Sequence, residues 1–302
     1  MAETQRLRSE GEELPGCLDE LQKEHAIKEI SGWDTGFANL NRALDGILPG
    51  LYLLIGPPAC GKTSFAKQLF DQVVMQNSVP GIFFSFAERK KELRIKTLAR
   101  LSSVENRDIR RGSAYLLHWY GMPKRTADTA ELPPSWEKIK TVAEAARRWL
   151  DLTYLIECGG ETNIQRVGEQ IDQVSTIKSS DRTMVVIDDS QRLESGDQSR
   201  GDRLANITEQ LQSIAVNRNI PVLAVWPELM EETKSSPYTW ADKTPSADVI
   251  LVLEKDLGRT KKFTEPNQAV NLHIIKNHGG EKGKLAFEFV PAFSKFAEVA
   301  PV

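Results

Sequence analysis

Apolar residues along this chain fall into short continuous runs that alternate with segments whose apolar positions recur at helical spacing. The runs of strand length lie at Leu51–Ile55, Gly81–Phe86, Thr153–Glu157, Thr183–Ile187, Pro221–Val225 and Val249–Leu253. A continuous apolar run is typical of a strand that is buried on both faces, because neither face then needs polar side chains. The pattern therefore predicts an α/β fold with a mostly parallel, doubly wound sheet.

Helical periodicity occupies the segments between these runs. Helices are predicted from Lys62 onward and at Arg89–Leu101, Trp136–Leu150 and Ile164–Ile177, with a short helix between Trp33 and Gly50. After Leu253 the pattern changes to NLHIIK and KLAFEFV, which are joined by the turn NHGGEKG. Two alternating segments around such a turn predict a C-terminal β-hairpin.

The remaining segments set the domain limits. Residues 1–30 are polar, with one possible short helix near Cys17–Ile30, and we expect a tail or an arm that docks protein partners. Residues 31–300 are the predicted compact domain, and residues 110–134 are a loop-rich excursion within it.

Composition narrows the functional classes. The chain has 302 residues, 40% of them hydrophobic, and a net charge of −3, so the molecule as a whole does not attract nucleic acid and any DNA contact must come from local basic loops. Its N-terminus lacks the apolar core of a signal peptide, and no run of about 18 apolar residues occurs. We therefore expect a cytoplasmic protein without a membrane span. The three cysteines, Cys17, Cys60 and Cys158, lack metal-ligand spacing and fit a reducing compartment.

The clearest chemical motif is GPPACGKT, which follows the first apolar run and opens the helix at Lys62. It matches the GxxxxGK[ST] phosphate loop, in which backbone amides face the phosphates, the lysine reaches their oxygens and the hydroxyl holds Mg²⁺. The strand before it and the helix after it make the match specific. The predicted nucleotide-binding residues are Gly56, Pro57, Pro58, Ala59, Cys60, Gly61, Lys62, Thr63 and Ser64.

Such a site also needs a carboxylate on the metal side, at the carboxyl end of a neighbouring strand. In TMVVIDDSQ four apolar residues precede Asp188, so we favour Asp188 as the partner of Thr63 at the metal. Asp189 is the alternative, with helix capping or a solvated loop as its other role.

Hydrolysis further requires a group that orients or deprotonates the attacking water. Glu88 follows the second predicted strand and is our candidate. Alternatively, Glu88 is a solvated charge at the start of a helix, where a carboxylate is favoured by the helix dipole.

Several segments together resemble the C-terminal ATPase domain of DnaB-type replicative helicases, within the wider RecA, RadA and KaiC group. The resemblance spans about 30–299 and rests on WDTGFANLNRALDGILPGLYLLIGPPACGKTSF, FFSFAERKKEL, VVIDDSQRLE, LQSIAVNRNIPVLAV, SADVILVLEKD and HIIKNHGGEKGKLAFEF. It implies a RecA-like core that forms rings, usually hexameric, with ATP at each subunit interface and a basic finger from the neighbour.

The resemblance also implies individual roles. Lys62 and Thr63 bind phosphate and Mg²⁺, Asp188 is the Walker B carboxylate, Gln191 senses the γ-phosphate and couples it to DNA, and Lys276 belongs to the hairpin that acts in trans. A cation on a hairpin that reaches a partner's γ-phosphate is the chemistry of an arginine finger.

This chain departs from the family pattern at three places. The family's acid after the second strand is Ala87 here, and the acid stands one residue later at Glu88. The hairpin reads Lys276-Asn277-His278 instead of Lys-x-Arg, so His278 is either a titrating finger residue or part of the turn. Trp226-Pro227 replaces a Ser-Gln pair. These departures favour slow hydrolysis and weak coupling to DNA.

The family's DNA-binding loops correspond to Glu194–Arg203 and Pro227–Lys243, which hold few cations among several acids. Tyr238 and Trp240 either stack on single-stranded bases or pack against protein.

Three functions are therefore considered. The first is an ATP-hydrolysing, ring-forming, helicase-like motor on single-stranded DNA. The second is a KaiC- or RadA-like regulatory or recombination-associated ATPase. The third is a nucleotide-binding scaffold with little catalysis that works through protein partners.

Overall fold

The computed structural model describes residues 30–111, 134–194, 200–227, 244–261 and 265–299, together with scattered positions between 9 and 22. Its strands, β1 to β9 in chain order, are Gly50–Gly56, Gly81–Ser85, Thr153–Glu157, Met184–Asp188, Pro221–Pro227, Val249–Lys255, Gln268–Asn277, Gly283–Val290 and Lys295–Glu298. These strands form one sheet in the order β3-β2-β4-β5-β1-β6-β7-β8-β9. The first six are parallel, and β7, β8 and β9 extend the sheet in antiparallel fashion.

Helices cover both faces of this sheet. Helices α1 to α7 are Ala38–Leu44, Lys62–Asn77, Lys90–Ser102, Pro134–Leu150, Ile164–Lys178, Arg200–Arg218 and Leu257–Thr260, and residues 106–111 are also helical. Alternate residues of β1 point into two separate cores: Tyr52 and Leu54 join the core beneath α2, and Leu51 and Leu53 join the core beneath α5 and α6. None of the described helices is long and apolar enough to cross a membrane.

The predicted fold class is confirmed. All six predicted parallel strands occur within two residues of their expected bounds, and the C-terminal hairpin is formed by β7 and β8. The fourth strand runs one residue further than expected and ends at Asp188. The short strand β9 was not predicted.

One loop assignment is wrong in part. The first proposed DNA loop was placed at Glu194–Arg203, but α6 begins at Arg200. Buried Leu204, Ile207 and Leu211 recur at helical spacing and favour extension of the helix upstream. The rest of this loop at 195–199 and residues 228–243, with Tyr238 and Trp240, lie outside the described residues. So does most of the predicted arm helix and most of the excursion at 110–134.

A cluster of phenylalanines fastens the antiparallel extension to the helix that follows the phosphate loop. The ring of Phe65 on α2 lies 5.2 Å from Phe296 of β9 and 5.6 Å from Phe287 of β8, both edge-on. Phe289 stacks on Phe296 at 4.4 Å. Aromatic pairs at these separations stabilise packing beyond simple burial, so the extension is a fixed support for α2.

A second link between helices is charged and buried. Asp71 of α2 forms ion pairs with Lys67 of the same helix and with Arg100 of α3, and it accepts a hydrogen bond from Thr97. Lys67 is 1% exposed, and burial lowers its pKa to about 8 against the opposing attraction of Asp71. One carboxylate therefore compensates two buried cations.

Removal of this carboxylate should be costly. We expect Asp71→Ala to lower the free energy of unfolding by about 3–5 kcal/mol, because Lys67 and Arg100 would remain buried without a counter-ion. Asp172→Ala is the matched control, since the Asp172 carboxylate pairs with Arg218 but is 61% exposed, and its loss should cost less than about 1 kcal/mol. Urea unfolding of both variants measures the difference; equal losses would contradict the expectation.

Candidate nucleotide-binding site

The phosphate loop connects the carboxyl end of β1 to the first turn of α2. Ala59 and Gly61 adopt left-handed backbone conformations, with φ of 59° and 92°. Pro58 and Ala59 form the exposed crest of the loop, whereas Cys60 is fully buried beneath it and burial raises the pKa of its thiol. A Cβ atom at Gly56 would lie 2.5 Å from the carbonyl oxygen of Leu253, so this close approach requires glycine.

Lys62 lies over the loop that it is predicted to serve. Its ammonium donates hydrogen bonds to the carbonyl oxygens of Gly56 and Pro57 at 2.7 and 2.8 Å. The cation is therefore already positioned along the curve of the backbone where phosphate oxygens would be bound.

Thr63 and Asp188 meet across the top of the sheet. The Thr63 hydroxyl lies 3.1 and 3.0 Å from the two carboxylate oxygens of Asp188, which is 1% exposed. Burial raises the pKa of Asp188 to about 7, and the hydrogen bond from Thr63 partly offsets that effect. Asp189 is turned away and forms an ion pair with Arg192 at 2.7 Å. The carboxylate that faces the loop is therefore Asp188.

The donor set at this point suits Mg²⁺. Thr63 and Asp188 offer only hard oxygen atoms, and Mg²⁺ is commonly held by one or two protein oxygens together with substrate phosphates and water. Thr63 would hold the ion directly and Asp188 would hold it from the strand end. A bound Mg²⁺ would neutralise charge on the phosphate oxygens.

Glu88 faces the same site and has a cationic partner that the sequence analysis missed. Lys96 of α3 lies 3.2 Å from the Glu88 carboxylate and donates to the Ser64 hydroxyl at 3.2 Å. The second carboxylate oxygen of Glu88 is buried without a hydrogen-bond partner among the described residues. Lys96 could have been found from its place three residues after buried Leu93, because helical spacing puts both on the inward side of α3.

Gln191 follows Asp188 by three residues, and among the described residues no hydrogen bond joins its side chain to the loop or to Thr63. It belongs to a short 3-10 turn, Ser190–Arg192, and its side-chain amide donates to Asp189 at 3.0 Å.

Lys276 and His278 lie at the amino ends of the parallel strands, opposite to the end that carries the phosphate loop. Lys276 pairs with Ile250 near the start of β6, and its ammonium donates at 2.8 Å to the carbonyl of Pro245, which precedes that strand. His278 is 76% exposed, with Nδ1 3.7 Å from Asp248. Because a strand rises about 3.3 Å per residue and neighbouring strands lie about 4.8 Å apart, the Lys276 ammonium is on the order of 15–20 Å from the phosphate loop of the same chain.

Residues 32–298 match the family model described as the DnaB-like helicase C terminal domain. The chain belongs to this family. A replicative DNA helicase DnaB from Leifsonia xyli subsp. xyli is 22% identical over 303 residues, which cover 95% of this chain and 60% of the relative. The DnaB of Haemophilus influenzae is also 22% identical and is covered to 58% of its length. This chain therefore spans about three fifths of the length of these relatives.

Solved structures share the same fold. One described as an ATPase domain superposes with a TM-score of 0.79 at 21% identity, covering 97% of this chain and 100% of that one. A KaiC-like protein from Pyrococcus horikoshii superposes with a TM-score of 0.53 at 16% identity, covering 88% and 97%. The RecA-like architecture of this DnaB-like domain is thus confirmed.

The support beneath the phosphate loop can be tested at Gly61. A Cβ atom there would lie 2.9 Å from Phe296 and 3.0 Å from Phe289, at a φ that side chains rarely adopt. We expect Gly61→Ala to lower the free energy of unfolding by about 1–3 kcal/mol through strain and overpacking, and to weaken nucleotide binding. Urea unfolding and titration with a fluorescent nucleotide measure both effects.

Gly279→Ala is the control for this variant. A Cβ atom at Gly279 meets nothing within 4 Å, so we expect a change within about 0.5 kcal/mol. A Gly61 variant as stable as the Gly279 variant would show that the two phenylalanines do not constrain the loop.

Proposed function

We propose that this chain is the ATPase unit of a ring-forming, helicase-like motor that hydrolyses ATP and acts on single-stranded DNA in the cytoplasm. The observation that carries the proposal is the contact between Thr63 and Asp188 beside the phosphate loop. Residues 31–300 form the ATPase domain in this proposal, and the polar arm at 1–30 serves protein partners.

The chemistry follows from the groups at the loop. Backbone amides and Lys62 bind the β- and γ-phosphates, because phosphate oxygens compete well for an ammonium group now bound to two neutral carbonyls. Glu88 orients the attacking water, and the carboxylate oxygen that has no hydrogen-bond partner among the described residues is the atom available for that contact. Lys96 holds the other carboxylate oxygen and fixes the direction of the side chain.

The position of Lys276 supports a site that is shared between subunits. A cation about 15–20 Å from its own phosphate loop cannot serve that loop, but it can serve the loop of a neighbour in a head-to-tail ring. In this arrangement Lys276, with His278 beside it, is the finger that approaches the neighbour's γ-phosphate. The resemblance to DnaB-type helicases implies that this ring is hexameric with ATP at each interface, and the match to the DnaB-like family model supports that proposal.

A regulatory ATPase is the second candidate. Glu88 is displaced by one residue from the family position and is already paired with Lys96, which favours slow turnover. In that case nucleotide binding would control assembly with protein partners, and oligomerisation would depend on ATP without stimulation by DNA.

Subunit mixing tests the shared site. We expect Lys62→Ala and Lys276→Ala each to abolish ATP hydrolysis, the first through its own loop and the second through its neighbour's. An equimolar mixture should regain roughly a quarter of wild-type turnover, because random assembly joins an intact loop to an intact finger at that frequency. A mixture of Lys62→Ala with Thr63→Ala is the control and should stay inactive. No recovery in the first mixture would contradict a site shared through Lys276.

Dependence on DNA is tested separately. We expect a single-stranded oligonucleotide to increase wild-type ATPase activity, with a stimulation that weakens as salt rises because phosphate contacts release counter-ions. Activity measured at several salt concentrations decides the question. Hydrolysis without stimulation at any of them would support the regulatory candidate instead.

A further inference from the structure

Two turns at the carboxyl edge of the sheet are tied together by Arg192. One turn follows β2 and carries Glu88; the other follows β4 and carries Gln191. The guanidinium of Arg192 donates to the carbonyl oxygen of Phe86 at 3.1 Å and pairs with Asp189 at 2.7 Å. β2 and β4 are neighbouring parallel strands in the sheet. Arg192 therefore adds a contact between the two chain segments that directly follow these strands.

The backbone of Asp189 adopts a conformation that allows this contact. Its φ is 62°, in the left-handed region that aspartate adopts more readily than most side chains. Both carboxylate oxygens are used, one by the Gln191 amide and the other by Arg192. Because both side-chain oxygens of Asp189 are engaged within the turn, these contacts specify the geometry of the turn.

The Phe86 carbonyl is two residues from Glu88, and the rest of that turn has its own fixed points. The Glu88 amide donates to the Ser85 hydroxyl at 3.0 Å, and its carboxylate pairs with Lys96, which also reaches Ser64. Ser85 and Lys96 hold the two ends of Glu88, and the Phe86 carbonyl bound by Arg192 lies on the backbone between Ser85 and Glu88, so a displacement of this carbonyl would change the direction in which the Glu88 side chain leaves the turn.

We propose that Arg192, held by Asp189, is a positioning residue for Glu88 that couples the turn carrying Gln191 to the turn carrying the candidate base. This inference rests on the proposed ATP hydrolysis. Among the described residues Arg192 forms no hydrogen bond or ion pair with the phosphate loop; it acts through the backbone at Phe86.

The exposure of the Arg192 side chain distinguishes a positioning role from a role in stabilising the fold. The Arg192 side chain is 60% exposed, and ion pairs at such sites contribute little to the free energy of folding. Removal of the guanidinium should therefore increase the mobility of the turn that carries Glu88 without lowering the stability of the protein. A lysine cannot replace the two-pronged contact, because an ammonium is a single point of charge and lacks the planar fork of a guanidinium.

The test compares Arg192→Met, Arg192→Lys and the wild type in the full chain. For Arg192→Met we expect kcat to fall about 10- to 100-fold, as a small misplacement of a catalytic group does, with KM for ATP and Tm unchanged. Arg192→Lys should recover only part of that loss. The double variant Asp189→Asn with Arg192→Met should be no slower than Arg192→Met alone, because both substitutions remove the same ion pair between Asp189 and Arg192.

Arg166→Met is the matched control, because Arg166 is an exposed arginine whose side chain has no partner among the described residues. Hydrogen exchange of residues 86–93 supplies a readout that does not depend on turnover. Arg192→Met should exchange faster there, while residues 56–64 and the control protein stay as in the wild type.

The outcomes distinguish the two proposals. A wild-type protein without ATPase activity would overturn the proposed hydrolysis, and hydrogen exchange would still decide the role of Arg192. Unchanged exchange at 86–93 in Arg192→Met would overturn the inference. A fall in Tm together with a raised KM would also overturn it, because Arg192 would then be an ordinary structural residue.

Discussion

The burial of β1 on both faces is the constraint on which the rest of the structure depends. All seven residues of this strand are buried, with β5 paired on one side and β6 on the other. A strand without charged side chains on either face is stable only in the middle of a sheet that has helices packed on both of its faces. Its carboxyl end therefore leaves the core between two neighbouring strands, and the glycine at Gly56 allows the chain to pass the Leu253 carbonyl. The position of the phosphate loop is a consequence of packing.

Charged side chains around the loop have hydrogen-bond or ion-pair partners within the protein. Lys62 is bound by two carbonyls and Lys96 by Glu88 and Ser64, while buried Asp188 is bound by Thr63. A buried polar group without a partner is costly, and among the described residues at the loop the second carboxylate oxygen of Glu88 is such a group. A nucleotide that enters this site must exchange these partners for its own oxygens. The hydrogen bonds that stabilise the loop in the protein without nucleotide are thus the ones that a bound polyphosphate would replace.

The sequence predicted the parts of this arrangement that depend on local pattern. Continuous apolar runs identified the parallel strands, and Asp188 was found because it directly follows such a run. Lys96 and Arg192 were missed because their roles depend on which distant residue lies opposite them, Glu88 in one case and the Phe86 carbonyl in the other. The short β9 was missed for a similar reason, since within four residues its pairing with β8 decides the structure.

The antiparallel extension, β7 to β9, connects the phosphate loop with Lys276 and His278, which are far from the loop in the sequence. Phe289 and Phe296 pack against Gly61 at one end of it, and Lys276 and His278 stand near the other end. Close-packed aromatic contacts transmit displacement and do not absorb it, because packed interiors have low compressibility. The support of one phosphate loop and the placement of the basic hairpin are therefore set by the same rigid strands. In the proposed ring, the geometry of a subunit's own loop would constrain where its Lys276 side chain lies relative to the next subunit.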